Sequence, residues 1–319
     1  MTDKDETARG RQAEKPWQIP PKGWLDILKR TQREIGRDHV SLVAAGAAFY
    51  SLLALFPAVA AVVAIWGLLA EPAQMVEQID GLTAPLPGDI REIVNEQAVD
   101  AADGGGGTVL AALFGILLGI WSASKGMNAV MEGLNIVYDE KESRGFLKKN
   151  LVRYVLTLGA VVGVVLAAGL IVVLPAVLEN VGLGSGTELL IGVAKWALLL
   201  GAALIGFGVV YRYAPARRDA RWAWITPGAV LAVILWLIGS AAFSFYVSNF
   251  ASYNETYGTI GGVVVTLMWL FLTAFVILLG GEVNAEIEKQ TRVDTTVNGR
   301  QEMGNRGAYA ADHLGKAPA

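Results

Sequence analysis

The stretch VLTLGAVVGVVLAAGLIVVLPAVL, residues 155–178, contains no charged side chain and decides the class of this fold. An α-helix of about 20 mainly apolar residues is long enough to cross a bilayer core of ~30 Å. The glycines and the proline in the stretch do not argue against a helix, because lipid offers the backbone no hydrogen-bond partner outside the segment. The stretch therefore predicts a membrane-spanning helix.

Five other stretches are also long and apolar enough to span a membrane. With the first, they predict spans at residues 44–69, 108–127, 152–178, 189–211, 222–247 and 259–281. The composition agrees, since 54% of the residues are hydrophobic and only 17% are charged, whereas a soluble domain is about a quarter charged. The sequence thus predicts an all-α integral membrane protein with six spans.

Lysine and arginine alternate between the predicted loops. The N-terminal segment, the second and fourth loops and the tail hold 22 of them, whereas the other three loops hold only Arg91. Because basic loops stay in the cytosol, this pattern predicts a bacterial inner-membrane protein with both termini cytosolic. The net charge of -3 gives no reason to expect a nucleic-acid partner.

The division of the chain follows from these spans. Residues 1–39 are predicted to form a cytosolic N-terminal segment, residues 40–288 a six-helix membrane domain, and residues 289–319 a disordered cytosolic tail. Residues 24–37 predict an amphipathic helix that either lies in the membrane interface or packs on the cytosolic loops. The acidic outer loop, residues 71–107, is either a solvated loop or a lid or docking surface.

A polar stripe runs along the second predicted helix. Trp121, Lys125, Asn128, Glu132 and Asn135 are spaced 4, 3, 4 and 3 residues apart, which places them on one helical face. Charged groups inside a membrane usually face a cavity or a partner. The stripe therefore predicts either a polar cavity open to the cytosol or a buried helix contact. A third alternative is that the lysine only reaches towards the interface.

Other polar residues are candidates for the same cavity. Glu282 is predicted at about the depth of Lys125, either as its partner or as an exposed carboxylate past the membrane edge. In the first span, polar residues precede Pro57, where a kink is expected. The full candidate cavity comprises Tyr50, Ser51, Trp121, Ser124, Lys125, Asn128, Glu132, Asn135, Glu282 and Asn284.

Small residues four positions apart, such as Gly159 and Gly163, predict close helix packing. The chain contains no Cys, no Walker loop and no His cluster suited to a transition metal. The sequence therefore indicates no catalytic residue, no cofactor and no metal. The expected partners are membrane lipids, an anionic or amphiphilic substrate and an envelope protein at the outer loop. The oligomeric state is left open, a homo-oligomer included.

Several motifs resemble one known family. They are AAGAAFYSLLALFP at 44–57, WSASKG at 121–126, LNIVY at 134–138, YNETYG at 253–258 and GGEVNAE at 280–286. Together they are similar to the YihY/BrkB family of six-span inner-membrane proteins over about residues 40–288. The resemblance implies this architecture and a poorly defined function. Members were long labelled ribonuclease BN, a label regarded as mistaken; one branch is tied to virulence and serum resistance, and another to export of lipid-linked envelope material.

Three functions are weighed on these grounds. A transporter or a lipid- or amphiphile-handling protein agrees best with the polar stripe and the basic N-terminal helix. A structural or assembly role in the cell envelope is the alternative. A membrane-bound ribonuclease is the weakest hypothesis, because RNA cleavage usually needs His general acid–base groups or carboxylate-held metals. The protein is therefore not expected to be an enzyme.

Overall fold

A computed structural model describes residues 3–69, 109–181, 185–250, 259–297 and 300–316. Apart from one isolated bridge between Ala220 and Thr296, these residues form no β-structure, and the all-α prediction is confirmed for them. A 3-10 turn spans Pro16–Gln18. The α-helices are α1 (Asp3–Ala8), α2 (Pro21–Arg37), α3 (Val40–Leu69), α4 (Val109–Val137), α5 (Phe146–Val181), α6 (Ser185–Tyr213), α7 (Trp222–Phe250), α8 (Thr259–Glu288) and α9 (Tyr309–Asp312).

The long helices coincide with the predicted spans. Four stretches of the described chain are long and apolar enough to cross a membrane: Phe146–Ile171, Leu190–Tyr213, Trp222–Ser248 and Gly261–Glu288. The number rises to five if α2 and Val40–Leu55 are counted as one bent span. The structure thus shows a protein with several helices able to span a membrane, and the total of six stays a prediction. The acidic loop at 71–107 lies outside the described residues, as do residues 251–258.

The chain divides into two compact units. The first contains residues 1–41, 131–235 and 276–319, and the second contains residues 42–130 and 236–275. In the second unit, α7 and α8 meet where the rings of Trp236 and Trp269 lie 6.2 Å apart. The indole nitrogen of Trp236 donates a hydrogen bond to Thr273 at 3.2 Å. Both indole groups are thus placed inside a helix contact, where a polar tip needs a partner.

The core of the first unit joins α2 to α7 and α8. Ile27, Trp224 and Ile287 are fully or almost fully buried and pack in one cluster. Apolar side chains in such a cluster each contribute about 1.5–3 kcal/mol when they leave water. Leu25 and Leu28 on the other face of α2 are exposed. The structure therefore shows one packed face of α2, and an interfacial position for its other face stays a prediction.

The C-terminal segment differs from the predicted disordered tail. Arg11 donates hydrogen bonds to the backbone carbonyls of Lys289, Gln290 and Gly315, and the Arg292 amide donates to the Arg11 carbonyl at 2.8 Å. The N-terminal segment and the tail therefore hold each other through backbone groups.

Polar side chains organise the tail internally. The Asp312 carboxylate accepts the amides of Gly304 at 2.7 Å and Arg306 at 3.0 Å. The Arg306 guanidinium is buried and donates to the Ala311 carbonyl at 2.6 Å. Long-range polar contacts therefore hold the described part of the tail, and contacts of this kind leave no hydrophobic periodicity in the sequence.

Candidate functional site

Two residues of the predicted stripe, Trp121 and Lys125, are exposed on α4. The Lys125 ammonium lies 4.9 Å from the centroid of the Trp121 ring, a distance typical of a cation–π contact. The same helix also exposes Phe114, Leu117 and Leu118. A positive charge therefore stands beside an aromatic ring, next to a stretch of apolar surface on the same helix.

Helix α3 supplies Tyr50 and Ser51 to the same unit. Ser51 contacts α4 closely, because a Cβ added at Gly126 would lie only 2.9 Å from the Ser51 hydroxyl oxygen. Tyr50 is exposed and makes an edge contact with the Phe49 ring at 5.8 Å between centroids. The structure thus brings Ser51 next to the helix that carries Lys125, and it leaves the phenol of Tyr50 on the surface of that unit.

Ser124 and Glu132 of the predicted site already have partners within the protein. The Ser124 hydroxyl donates to the Trp121 carbonyl at 2.6 Å, a bond within the helix that leaves its proton unavailable to a ligand. Asn128 is half-buried. Glu132 is exposed and lies 3.4 Å from the ammonium of Lys149, and exposed pairs of this kind contribute little to stability.

Asn135 is the last residue of the stripe along α4. Its side chain is buried, and its amide oxygen accepts the backbone N–H of Ala216 at 2.7 Å. This bond attaches the loop between α6 and α7 to the end of α4. The stripe is therefore exposed at Lys125 and is a structural contact at Asn135, so its five members do not form one continuous exposed face.

Asn284 also has a structural role. Its side chain is fully buried, donates to the Ile225 carbonyl at 3.0 Å and accepts the Gly228 amide at 2.8 Å. Both partners flank Pro227, which has no N–H and interrupts the backbone ladder of α7. Asn284 thus satisfies backbone groups of α7 near the proline and fixes α8 against that helix.

Glu282 is the one carboxylate of the predicted site that the protein encloses completely. It is fully buried, and neither carboxylate oxygen lies within hydrogen-bonding distance of a donor in the described part of the chain. The charged groups that act on it are the cation Lys289 and the acids Asp38, Glu286 and Glu34. Burying an ionised carboxylate without a partner is costly enough that such groups usually bind a proton or a cation.

A chain of ion pairs adjoins Glu282. Arg30 bonds to the Glu286 carboxylate, whose other oxygen lies 3.0 Å from the Lys289 ammonium. That ammonium also lies 2.9 Å from the carboxylate of Asp139. Burial by itself lowers the pKa of Lys289, but the two acids outweigh it and hold the pKa above its usual value. The lysine is therefore charged and already shared between two carboxylates.

Asp38 completes this acidic group at the break between α2 and α3. It is half-buried, and burial, together with the carboxylates of Asp139 and Glu34, raises the pKa of Asp38 to about 6. The sequence motif GGEVNAE did single out Glu282, but Arg30, Asp38, Asp139 and Lys289 were missed. Acidic residues at 282 and 286, one turn apart at the end of an apolar helix, were the available signal.

No metal centre is formed by the described residues. No three His, Asp or Glu side chains among them come together in an arrangement suited to a metal ion. His313, one of the two histidines, is exposed, stacks on the Tyr309 ring at 3.9 Å and places Nδ1 3.0 Å from the Tyr309 carbonyl. His39 is exposed at the break after α2, where its φ of 50° puts it in the left-handed region.

Comparison with known proteins yields a family and no structural relative. The virulence factor BrkB family matches residues 31–304. The ribonuclease-like protein YfkH of Bacillus subtilis (strain 168) is 34% identical over 255 residues, which cover 77% of this chain and 89% of that protein. No solved structure matches the chain.

Two further relatives are named as membrane proteins. A UPF0761 membrane protein of Vibrio parahaemolyticus is 25% identical over 302 residues, which cover 90% of this chain and 91% of that protein. A UPF0761 membrane protein of Cronobacter sakazakii is 27% identical over 274 residues, which cover 84% of this chain and 89% of that protein. Since the family match spans most of the chain and includes its long apolar helices, this protein belongs to the BrkB family of membrane proteins.

Proposed function

We propose that this protein is a transporter or an amphiphile-handling protein of a bacterial inner membrane, with six spans and both termini in the cytosol. The observation that carries the proposal is the exposed pair of Lys125 and Trp121 on α4. At the centre of a membrane helix a lysine costs ~2.5–3.5 kcal/mol, and it costs less near the interface. An exposed lysine on such a helix therefore needs water or an anionic group.

The surroundings of Lys125 favour an anionic amphiphile. Its ammonium supplies the charge for an anionic headgroup, and the exposed Phe114, Leu117 and Leu118 supply apolar surface for the attached chain. In the same unit, a small apolar pocket lies between α7 and α8, and its lining includes Phe243 and Met268. Membrane lipids and an amphiphilic substrate are accordingly the partners that we propose, with the exposed Leu25 and Leu28 of α2 touching the cytosolic interface.

Removal of the Lys125 charge tests the proposal. Protein reconstituted into liposomes is assayed for movement of ions, of an anionic lipid and of a zwitterionic lipid. We expect the Lys125→Met variant to lose about 1.5–3 kcal/mol of binding to an anionic headgroup, which corresponds to a roughly ten- to hundredfold weaker apparent affinity. The Lys125→Arg variant keeps the charge and is expected to retain most of the movement.

A matched control is available on α6. The Lys195 ammonium also lies near an aromatic ring, 5.8 Å from the Trp196 centroid. Lys195→Met removes the same charge from the same kind of pair and is expected to leave movement of the anionic lipid unchanged. The proposal fails if Lys125→Met behaves like the unaltered protein, or if both methionine variants lose movement equally.

Thiol labelling tests the position of the stripe independently of transport. The chain has no Cys, so a single cysteine at 125 or 128 can be placed without background. We expect a charged thiol reagent added from the cytosolic side to react there faster than with a cysteine at 117, although Leu117 is also exposed. The reason is that the apolar surface around 117 faces lipid, which excludes the reagent. Equal inertness at 117, 125 and 128 would mean that the stripe is a buried helix contact.

The name of the Bacillus subtilis relative makes a ribonuclease the second candidate. We propose that this chain does not cleave RNA, since the ring of His313 is stacked on Tyr309 and no three His, Asp or Glu side chains of the described residues come together to hold a metal ion. Purified protein freed of contaminating nucleases is expected to leave RNA intact. RNA turnover that disappears in a folded His39→Ala variant would show that the ribonuclease function is real.

A further inference from the structure

We propose that Glu282 is a proton-binding site buried in the first unit, and that Asp38 and Asp139 connect it to the surface. The proposal goes beyond the transport function and does not depend on it, because the enclosed carboxyl group is part of the structure whether or not the protein transports a substrate. Its starting point is geometric: the side chain is fully buried, and no donor in the described residues lies within hydrogen-bonding distance of either oxygen.

The neighbouring charges do not compensate an ionised Glu282. The charged and titratable groups that act on it or adjoin it come from three elements: Glu34 and Arg30 from α2, with Asp38 in the turn after it; Tyr138 and Asp139, directly after α4; and Glu286 from α8, with Lys289 directly after it. The cation Arg30 is already bonded to Glu286. Lys289 is the strongest cationic influence among them, and it is already bonded to Glu286 and Asp139. A second negative charge in this group would be repelled by its acidic neighbours.

A proton is the ligand that fits this surrounding. A neutral carboxylic acid removes the uncompensated charge, and it needs no further side-chain ligands. A metal ion would need several oxygen ligands around it, and no set of three acidic or His side chains in the described chain is arranged to provide them. The geometry therefore favours protonation over metal binding.

Two further acidic side chains of the same unit are the candidates for a proton route. Asp38 is half-buried and Asp139 is exposed, and the two carboxylates act on each other electrostatically. Asp38 also acts electrostatically on Glu282, so we assign Asp38 and Asp139 as the groups that pass the proton to the surface of the unit. Chains of acidic groups within membrane proteins commonly serve as proton relays. In a transporter, protonation of this site would couple substrate movement to a proton gradient. The sequence shows no other energy source for transport.

Infrared spectroscopy of the full chain in lipid vesicles tests the proposal without any transport assay. A protonated carboxyl group absorbs as a C=O stretch that an ionised carboxylate lacks, and incorporation of carbon-13 glutamate identifies bands from Glu side chains. We expect the unaltered protein to show one such band from an enclosed Glu, which persists to higher pH than the bands of exposed acids. The band is expected to disappear in Glu282→Gln and to remain in Glu132→Gln, which changes an exposed glutamate.

A second variant guards against misfolding of the first. Glu282→Asp retains an acid at this position but carries no labelled glutamate, so the labelled band is expected to vanish there as well. A labelled band that persists in Glu282→Gln and Glu282→Asp overturns the assignment. A labelled Glu band that is absent at every pH, but appears when Na⁺ and K⁺ are removed, identifies a metal cation as the ligand and also overturns it. Neither result bears on the Lys125 transport assay, so the two proposals can fail separately.

Discussion

Replacement of Arg217 by methionine is expected to lower the free energy of unfolding by about 3–5 kcal/mol. Arg217 forms a two-point ion pair with Glu288, with nitrogen–oxygen distances of 2.9 and 2.7 Å. The exposed fractions of the two side chains are only 2% and 0%. Methionine would leave the Glu288 carboxylate enclosed without its counterion, and the cost of that uncompensated charge sets the size of the effect.

The effect is measured by unfolding the purified protein in mixed micelles and following the summed fluorescence of its nine tryptophans. The double variant Arg217→Met, Glu288→Met is expected to recover much of the lost stability, because neither buried charge then remains. Arg300 forms an exposed pair with Glu14 at 2.6 Å, and Arg300→Met is expected to change the stability by less than about 1 kcal/mol. An Arg217→Met variant as stable as Arg300→Met would contradict the assignment of a buried pair.

Replacement of Gly280 by alanine is expected to cost about 3 kcal/mol or more, although it adds a single methyl group. A Cβ at this position would collide with the hydroxyl group of Tyr211 and would lie 2.7 Å from the Gly228 carbonyl oxygen. The Tyr211 hydroxyl is fixed, since it donates to the Ile277 carbonyl at 2.9 Å. The methyl group must therefore separate the helices or break this buried hydrogen bond.

Gly206 on α6 provides the matched control. A Cβ added there meets no atom within 4 Å, so Gly206→Ala is expected to leave the stability unchanged or to raise it slightly, since alanine is the better helix former. Both variants are compared by the midpoint of unfolding in the same micelles. If the two variants unfold at the same midpoint, then α6, α7 and α8 do not approach one another as closely as the structure places them.

The positions of the long helices could be predicted from the sequence, although α5 begins at Phe146, before its predicted span of 152–178, and α8 ends at Glu288, after its predicted span of 259–281. Each predicted span lies within one helix or begins one residue before it, as at 108–127 against Val109–Val137. The physical reason is local: an uninterrupted apolar stretch in lipid has no alternative to internal backbone hydrogen bonds. The candidate residues Lys125 and Glu282 were recognisable for a related reason, since an ionisable group in an apolar helix is costly and therefore conspicuous.

Pairing between distant segments was not predictable in this way. Gly159 and Gly163 have the spacing of a packing motif, yet a Cβ on either meets nothing within 4 Å. The close contact is instead made by Gly228 and Gly280, which lie 52 positions apart in the printed sequence. The spacing of residues along one helix indicates which of its faces carries small side chains. Whether another helix packs against that face depends on the tertiary structure.

The sequence by itself determined the class of the protein, the position of its long helices and the acidic and basic residues that stand out from them. Only the tertiary structure decided the partners of those residues: Arg217 with Glu288, Lys289 between Glu286 and Asp139, and Glu282 with no donor among the described residues. It also decided that the polar tail folds against Arg11. Hydrophobic periodicity is a property of one segment, whereas an ion pair or a buried polar contact exists only when two distant segments meet.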